Sequence, residues 1–373
     1  MRWRIWSVLS LISRISIDTL QRVAIAGGSR GLGKSLGIEL AKRGRTDGHE
    51  RLSCDADFQT GAHILLLARG KDGLELAKKE VLSSRKSETQ LVDTIALDLC
   101  DPVAVRALAT NSAKFMLSLS LTAHTKIRQV KSALKEYGTA PDILICNAGG
   151  SSPAQIGFLA DLSPEGLTSC LEINYYSAIF ITQACLQLWI QKPLSHRTRH
   201  VVFISSAAAF VSIPGYIAYT PPKAAIRAFA DTLRQELLLY GGKDMYQVHS
   251  AFPGTFITDS FLAEQASKPE LTKIMEGSNF PIEEIQAKTP SASGEAKKIL
   301  VGLDKGYYMI TSDLEGRLIL NNMRGPSPRD GWFSDFLQSC LMMFAWPLTL
   351  RDWDKKTRNY GKSHHEELHS ASS

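Results

Sequence analysis

A doubly wound α/β domain, with a seven-stranded, mostly parallel sheet and helices on both faces, is what three features of this sequence predict. Short apolar runs recur with helical periodicity between most of them, the pattern of parallel strands joined by crossover helices. The first run flows into a glycine-rich turn and then a helix. The fifth ends in Ser205-Ser206 and leads to a helix with Tyr219 and Lys223 four positions apart, a spacing that stacks two side chains on one helical face.

The 373 residues hold one large domain or two, and 44% hydrophobic content suits a globular chain with a sizeable core. The net charge of +6 is spread without a polybasic block. That balance suits an anionic cofactor or an acidic membrane surface and gives no indication of nucleic acid. Cys54, Cys100, Cys146, Cys170, Cys185 and Cys340 show no C-x-x-C spacing, and several lie in apolar segments, which suggests a reducing compartment.

Along the chain, residues 1–20 place Ile5, Val8, Ile12 and Ile15 on one helical face with Arg2, Arg4 and Arg14. They read as a membrane-surface or frayed helix, too short to span a bilayer, with some likeness to an organelle presequence. Residues 23–26 form the first strand. In the turn that follows, Gly27, Ser29, Arg30, Gly31, Leu32 and Gly33 let the backbone approach a pyrophosphate at a helix N-terminus. The second strand, 63–67, ends at Ala68-Arg69, where an enzyme using the non-phosphorylated dinucleotide usually carries an acid; Arg69 together with Arg30 favours the 2′-phosphate of NADPH. Polar residues 45–61 and the run 111–126 interrupt the pattern, and they read as insertions or as additions of the gene model.

The third strand, 91–99, delivers Asp98 and Leu99 to an adenine ring, and the fourth, 142–146, runs into Asn147, Ala148 and Gly149. A long helix over 167–191 carries Asn174 among apolar neighbours, and a buried amide needs partners. After the fifth strand, 201–204, Ser206 is placed to bond a substrate oxygen. Tyr219 passes a proton to or from the same oxygen, and an ammonium at Lys223 lowers the phenol's pKa. Helix 221–238 tolerates Pro221 and Pro222 in its first turn. Beyond the sixth strand, 247–252, come Pro253, Gly254 and Thr258, the last suited to a nicotinamide carboxamide. Residues 260–281 read as a mobile lid and 307–311 as a seventh strand.

Residues 26–33, 147–149, Asn174, Ser206, Tyr219, Lys223 and Pro253-Gly254, in that order, resemble the short-chain dehydrogenase/reductase family over residues 22–313. The resemblance implies a Rossmann-type fold and a bound nicotinamide dinucleotide. It implies that Tyr219 is the acid/base and Lys223 lowers its pKa and holds the nicotinamide ribose, while Ser206 orients the carbonyl and Asn174 holds a relay water. The thirteen positions from Ser206 to Tyr219 match the family spacing; Pro222 departs from it, standing where a small polar residue is usual. Within the family, the glycine turn through Ser35, the lid, Thr311-Ser312-Asp313 and residues 322–329 resemble the fungal reductases of 3-ketosphinganine. That implies NADPH, a long-chain lipid ketone substrate, and a site on the endoplasmic reticulum membrane with the catalytic domain facing the cytosol. The alternatives are another lipid, steroid or acyl ketone, or a non-catalytic dinucleotide-binding sensor.

The expected organisation is an N-terminal segment 1–20, a reductase domain 21–330, a membrane-associating helix 331–350 and a polar disordered tail 351–373. The apolar run 336–350, with Trp332, Trp346 and Trp353 near its ends and Lys355, Lys356 and Arg358 beyond, fits an interface. It falls short of the ~20 residues of a span. Packing on the domain and a homo-oligomer contact are its other uses. The tail contains His365-Glu366-Glu367-Leu368-His369, a metalloprotease spacing with no core around it, and no metal is expected.

Overall fold

The computed structural model describes residues 21–43, 62–101, 141–191 and 198–371. The expected N-terminal helix and the two expected insertions lie outside the described residues.

Seven strands, β1 (Arg22–Ala26), β2 (His63–Ala68), β3 (Val92–Ala96), β4 (Ile143–Cys146), β5 (Arg199–Ile204), β6 (Tyr246–Phe252) and β7 (Met309–Thr311), form one sheet in the order β3-β2-β1-β4-β5-β6-β7. Every neighbouring pair is parallel. The helices, in chain order, are α1 (Gly31–Ala41), α2 (Lys71–Ser84), α3 (Pro164–Leu171), α4 (Ser177–Gln191), α5 (Thr220–Glu236), α6 (Asp259–Ser267), α7 (Glu270–Glu276), α8 (Ile282–Lys288), α9 (Ala292–Asp304), α10 (Leu314–Met323) and α11 (Trp332–Ala371).

Strands buried on both faces need apolar side chains at odd and even positions alike, which is why these segments read as continuous runs. In β1, Ala24 and Ala26 join a core with Ile181 of α4 and Ile226 of α5, while Val23 and Ile25 join another with Leu36 of α1 and Ile299 of α9. The order of the strands reverses at β1 and β4. Ligands bind at the carboxyl ends beside such a switch point.

Three elements differ from expectation. The single helix expected over 167–191 is interrupted by a π turn, Glu172–Tyr176, between α3 and α4, with Asn174 inside it. A π turn is an inserted residue in the hydrogen-bond ladder and is frequent at functional sites. The lid segment is helical, formed by α6 and α7. The break expected at 350, and the disordered tail as far as Ala371, are corrected: α11 is one helix of 40 residues with Pro347 inside it. Its polar second half gains i,i+4 ion pairs, Lys356 with Asp352 at 2.7 Å and Arg358 with Asp354 at 3.8 Å, and docks through Tyr360 against Phe158. The first half exposes Trp332, Phe333, Leu337, Leu341, Met343, Phe344 and Leu348. Among the described residues no helix is long and apolar enough to cross a membrane.

Residues 322–329 act as a clamp. The buried Arg324 guanidinium pairs with Asp335 at 2.6 Å and Asp330 at 2.9 Å, and Arg227 of α5 donates to the carbonyls of Met323 and Arg324. Asp330 in turn accepts from the Tyr308 and Met309 amides at the start of β7. These bonds fix α10 and α11 beside the catalytic helix.

Candidate active site

A cleft of about 1100 Å³ opens at the carboxyl ends of the strands. That is just above the volumes of drug-sized ligand pockets, ~300–1,000 Å³, and leaves room for a dinucleotide together with a substrate headgroup.

One wall is made of backbone and small residues. Ser29, Arg30, Gly31 and Leu32 line it, with Arg69 after β2, Asp98 and Leu99 after β3, Ala148 and Gly149 after β4, and Pro253, Gly254 and Thr258 after β6. Gly27 lines it too, and its turn demands glycine: a Cβ at Gly33 would stand 2.1 Å from the Gly27 carbonyl oxygen. Gly31 opens α1 at φ +53°. The Asn147 amide donates to the Gly27 carbonyl at 3.1 Å, tying β4 to the turn. No side chain caps α1 at Arg30, so its first-turn amides are open to an anion. This cradle fits the pyrophosphate of a dinucleotide. Gly33 lies behind the surface rather than on it.

The second wall carries the chemistry. Tyr219 is the N-cap of α5, Pro221 and Pro222 sit in its first turn, and Lys223 follows one turn on, so Pro222 leaves the helix start in place. Ser206, Tyr219 and Lys223 all line the cleft. The Ser206 hydroxyl accepts from the Ala208 amide at 3.1 Å and, by hydrogen bonding, favours the Tyr219 phenolate. Burial outweighs this and pushes the Tyr219 phenol well above the usual tyrosine range, with Glu264 and Glu276 adding to the rise. The lowered phenol pKa expected beside Lys223 is not the net outcome, because burial dominates. The lysine's ammonium lies 5.5 Å from the ring centroid of Tyr219 and donates to the Ile204 carbonyl at 3.2 Å, while burial brings its own pKa down to about 8. The phenol therefore stays protonated, as a proton donor requires.

Asn174 is off the cleft surface. Its Oδ1 accepts from the Gly150 amide at 2.8 Å, and its Nδ2 donates to the carbonyls of Gly150 at 2.7 Å and Cys170 at 2.9 Å. The π turn aims it at the strand end, where it splints Gly149 and Gly150.

A third wall, formed by the lid and α11, holds residues that the sequence reading passed over. Tyr216 donates to Glu264 at 2.6 Å and to Glu276 at 3.1 Å, and the fully buried Lys268 ammonium bridges the same carboxylates at 3.0 and 2.5 Å. Met275, Ile319 and Trp353 add an apolar side. Glu264 and Lys268 stand four apart, the spacing of an ordinary surface pair. Nothing local in the sequence marks them as buried. Among the described residues no cluster of His, Cys, Asp and Glu is suited to a metal ion, and the side chains of 365–369 lie outside them.

The short chain dehydrogenase family model matches residues 103–269. Over 358 residues the chain is 30% identical to 3-ketodihydrosphingosine reductase ksrA of Aspergillus fumigatus, covering 91% of this chain and 84% of that protein. The chain belongs to the short-chain dehydrogenase/reductase family. It is also 27% identical over 341 residues to 3-ketodihydrosphingosine reductase gsl-3 of Neurospora crassa, covering 88% and 79% of the two chains. Among solved structures, a short-chain dehydrogenase/reductase of Burkholderia phymatum in complex with NAD superposes with a TM-score of 0.58 at 15% identity, over 84% of this chain and 98% of that one. An alcohol dehydrogenase of the archaeon Thermococcus sibiricus, complexed with 5-hydroxy-NADP, gives 0.52 at 20% identity, over 78% and 94%. The short-chain dehydrogenase/reductase fold is thus one that holds nicotinamide dinucleotides, and this family member is an oxidoreductase.

Proposed function

We propose that this enzyme reduces the C3 ketone of 3-ketosphinganine to dihydrosphingosine with NADPH, at the cytosolic face of the endoplasmic reticulum membrane. The observation that carries the reading is the intact set of Ser206, Tyr219 and Lys223 in one cleft with an apolar side, in a chain 30% identical to the Aspergillus reductase. For NADPH over NADH, support comes from Arg30 and Arg69, exposed cations on the cleft with no hydrogen bond or ion pair among the described residues. A 2′-phosphate gives them a partner. For the membrane, support comes from the exposed aromatic and aliphatic face of α11, a patch of the kind that seeks a lipid surface or another apolar partner.

A bound reduced nicotinamide supplies hydride to the carbonyl carbon. Ser206 holds the carbonyl oxygen by hydrogen bonding. Tyr219 gives its proton to that oxygen as negative charge develops, a positioned transfer worth ~10²–10⁴ in rate. The developing alkoxide is a stronger base than the phenolate left behind, so a high phenol pKa does not block the step. The ammonium of Lys223 beside the ring then favours the phenolate until it is reprotonated.

The test is NADPH consumption by the full chain in detergent, with 3-ketosphinganine, a steroid ketone and an acyl thioester run in parallel and NADH as the competing cofactor. Dihydrosphingosine formed in step with NADPH loss is the expected result. Turnover of the other ketones alone moves the enzyme elsewhere in its family, and dinucleotide binding without any turnover makes the chain a sensor.

A further inference from the structure

The lid contributes two carboxylates and one ammonium to the wall beside the catalytic tyrosine. Lys268 is buried completely, and Glu264 and Glu276 are nearly so. Taking ions out of water costs several kcal/mol each, and a paired charge recovers part of that cost. One lysine answers one glutamate. The second carboxylate is held only by neutral donors and a shared ammonium: Thr255 bonds Glu276 at 3.2 Å, Ser278 bonds it at 3.1 Å, and Tyr216 bonds both glutamates.

The excess charge faces the cleft. Glu264, Glu276 and Ser151 all line it, and Glu264 Oε2 accepts from Ser151 alone among the described residues, at 2.8 Å, leaving a lone pair open. The carboxylates stand on the hydroxyl of Tyr216, whose ring centre is 5.8 Å from that of Tyr219. Beside the proton donor, the Lys223 ammonium is occupied with the Ile204 carbonyl and the Tyr219 ring. A dinucleotide brings further negative charge, so the cleft favours a cation next to the proton donor.

We propose that Glu264, seconded by Glu276, receives the ammonium of a 2-amino-3-ketone and so selects amino ketones over plain ketones. The inference rests on the substrate reading above and deepens it. In such a substrate the amino carbon is bonded directly to the carbonyl carbon. With the carbonyl oxygen held by Ser206 and Tyr219, the nitrogen lies two bonds from the reacting carbon, within reach of the side on which Tyr216, its ring 5.8 Å from that of Tyr219, holds the two carboxylates. A charge-assisted bond there also orients the carbonyl.

Wild type, Glu264→Gln and Glu276→Gln are compared on 3-ketosphinganine and on its analogue lacking the amino group. In parallel, dihydrosphingosine and its desamino diol are titrated against each protein by tryptophan fluorescence. Wild type should favour the amino ketone by about 10- to 100-fold in kcat/KM, the range of a hydrogen bond to a charged group. Read as the ratio of kcat/KM for the two ketones within each protein, Glu264→Gln should erase most of that preference and Glu276→Gln part of it. If both ketones fall together, or the preference survives both substitutions, the triad is only a structural brace and the inference is overturned. If neither ketone is turned over, the substrate reading fails by itself: selective, Glu264-dependent binding of the amine still supports the inference, and unselective binding overturns it.

Discussion

The two sides of the cleft bind by different means. The dinucleotide side presents main chain: a turn that excludes a Cβ at Gly33, the open first turn of α1, and the small residues after β4 and β6. The lid side presents paired charges, with Glu264 and Lys268 on α6, Glu276 at the end of α7 and Tyr216 ahead of the catalytic helix, each bonding another. Main-chain recognition depends on the shape of one turn and can serve many enzymes that share a cofactor. Charge recognition depends on side chains brought together from separate elements and can tell one ketone from another. The shared and the particular halves of this enzyme's work are thereby assigned to separate walls.

Substitutions sharpen that division, beginning with the largest effect. Tyr219→Phe removes the proton donor at the seam of the two walls. Its kcat should drop by ~10²–10⁴, with dinucleotide affinity by fluorescence titration unchanged; a small loss would reassign the acid. Gly33→Ala forces the turn open, because the added carbon meets the Gly27 carbonyl at 2.1 Å. Dinucleotide affinity should fall more than ~10-fold, since the backbone must move where close approach is required. Unchanged affinity would show that the turn yields. Arg69→Ala should lower kcat/KM for NADPH by ~3- to 10-fold and leave NADH alone, the modest effect expected of an exposed charge. Equal losses with both cofactors would detach Arg69 from the phosphate.

A further effect is one of pH, read on stability rather than on turnover. Burial holds the folded pKa of Lys223 at about 8, against 10.5 for a free lysine. Between those values the unfolded chain keeps a proton that the folded chain has released. The unfolded state binds more protons there, so this group adds stability as pH rises through the window. Urea unfolding of the cofactor-free protein at a series of pH values should show that gain in wild type, and Lys223→Met should flatten it. Equal slopes would mean that the ammonium keeps its proton when buried.

Much of this architecture was legible in the chain because its constraints are local. A strand buried on both faces must be a continuous apolar run, and a phosphate turn must be glycine-rich. Tyr219 and Lys223 meet because four residues make about one helical turn. What stayed hidden depends on distant partners. Glu264 and Lys268 have the spacing of any solvated pair, and only the fold buries them against Glu276. Residues 322–329 bore the family likeness, but nothing local showed that Arg324 is a buried ion locked to Asp330 and Asp335. Residues 351–371 read as disordered because they lack an apolar stripe, and their helix is carried by ion pairs and by Tyr360 docking on Phe158.

The π turn at Glu172–Tyr176 makes the phase of the chain itself a determinant of the site. Each residue of an α-helix turns the next by about 100°, so one surplus residue offsets the faces of α3 and α4 by that angle. Deleting a single residue within the turn would restore a straight helix and spare every named catalytic group. It would also rotate one half of that helix against the other, swinging Asn174 away from Gly150 and loosening the strand end it holds. Length at this point matters to the site as residue identity does elsewhere, and a search for inactivating changes should count missing residues there as well as altered ones.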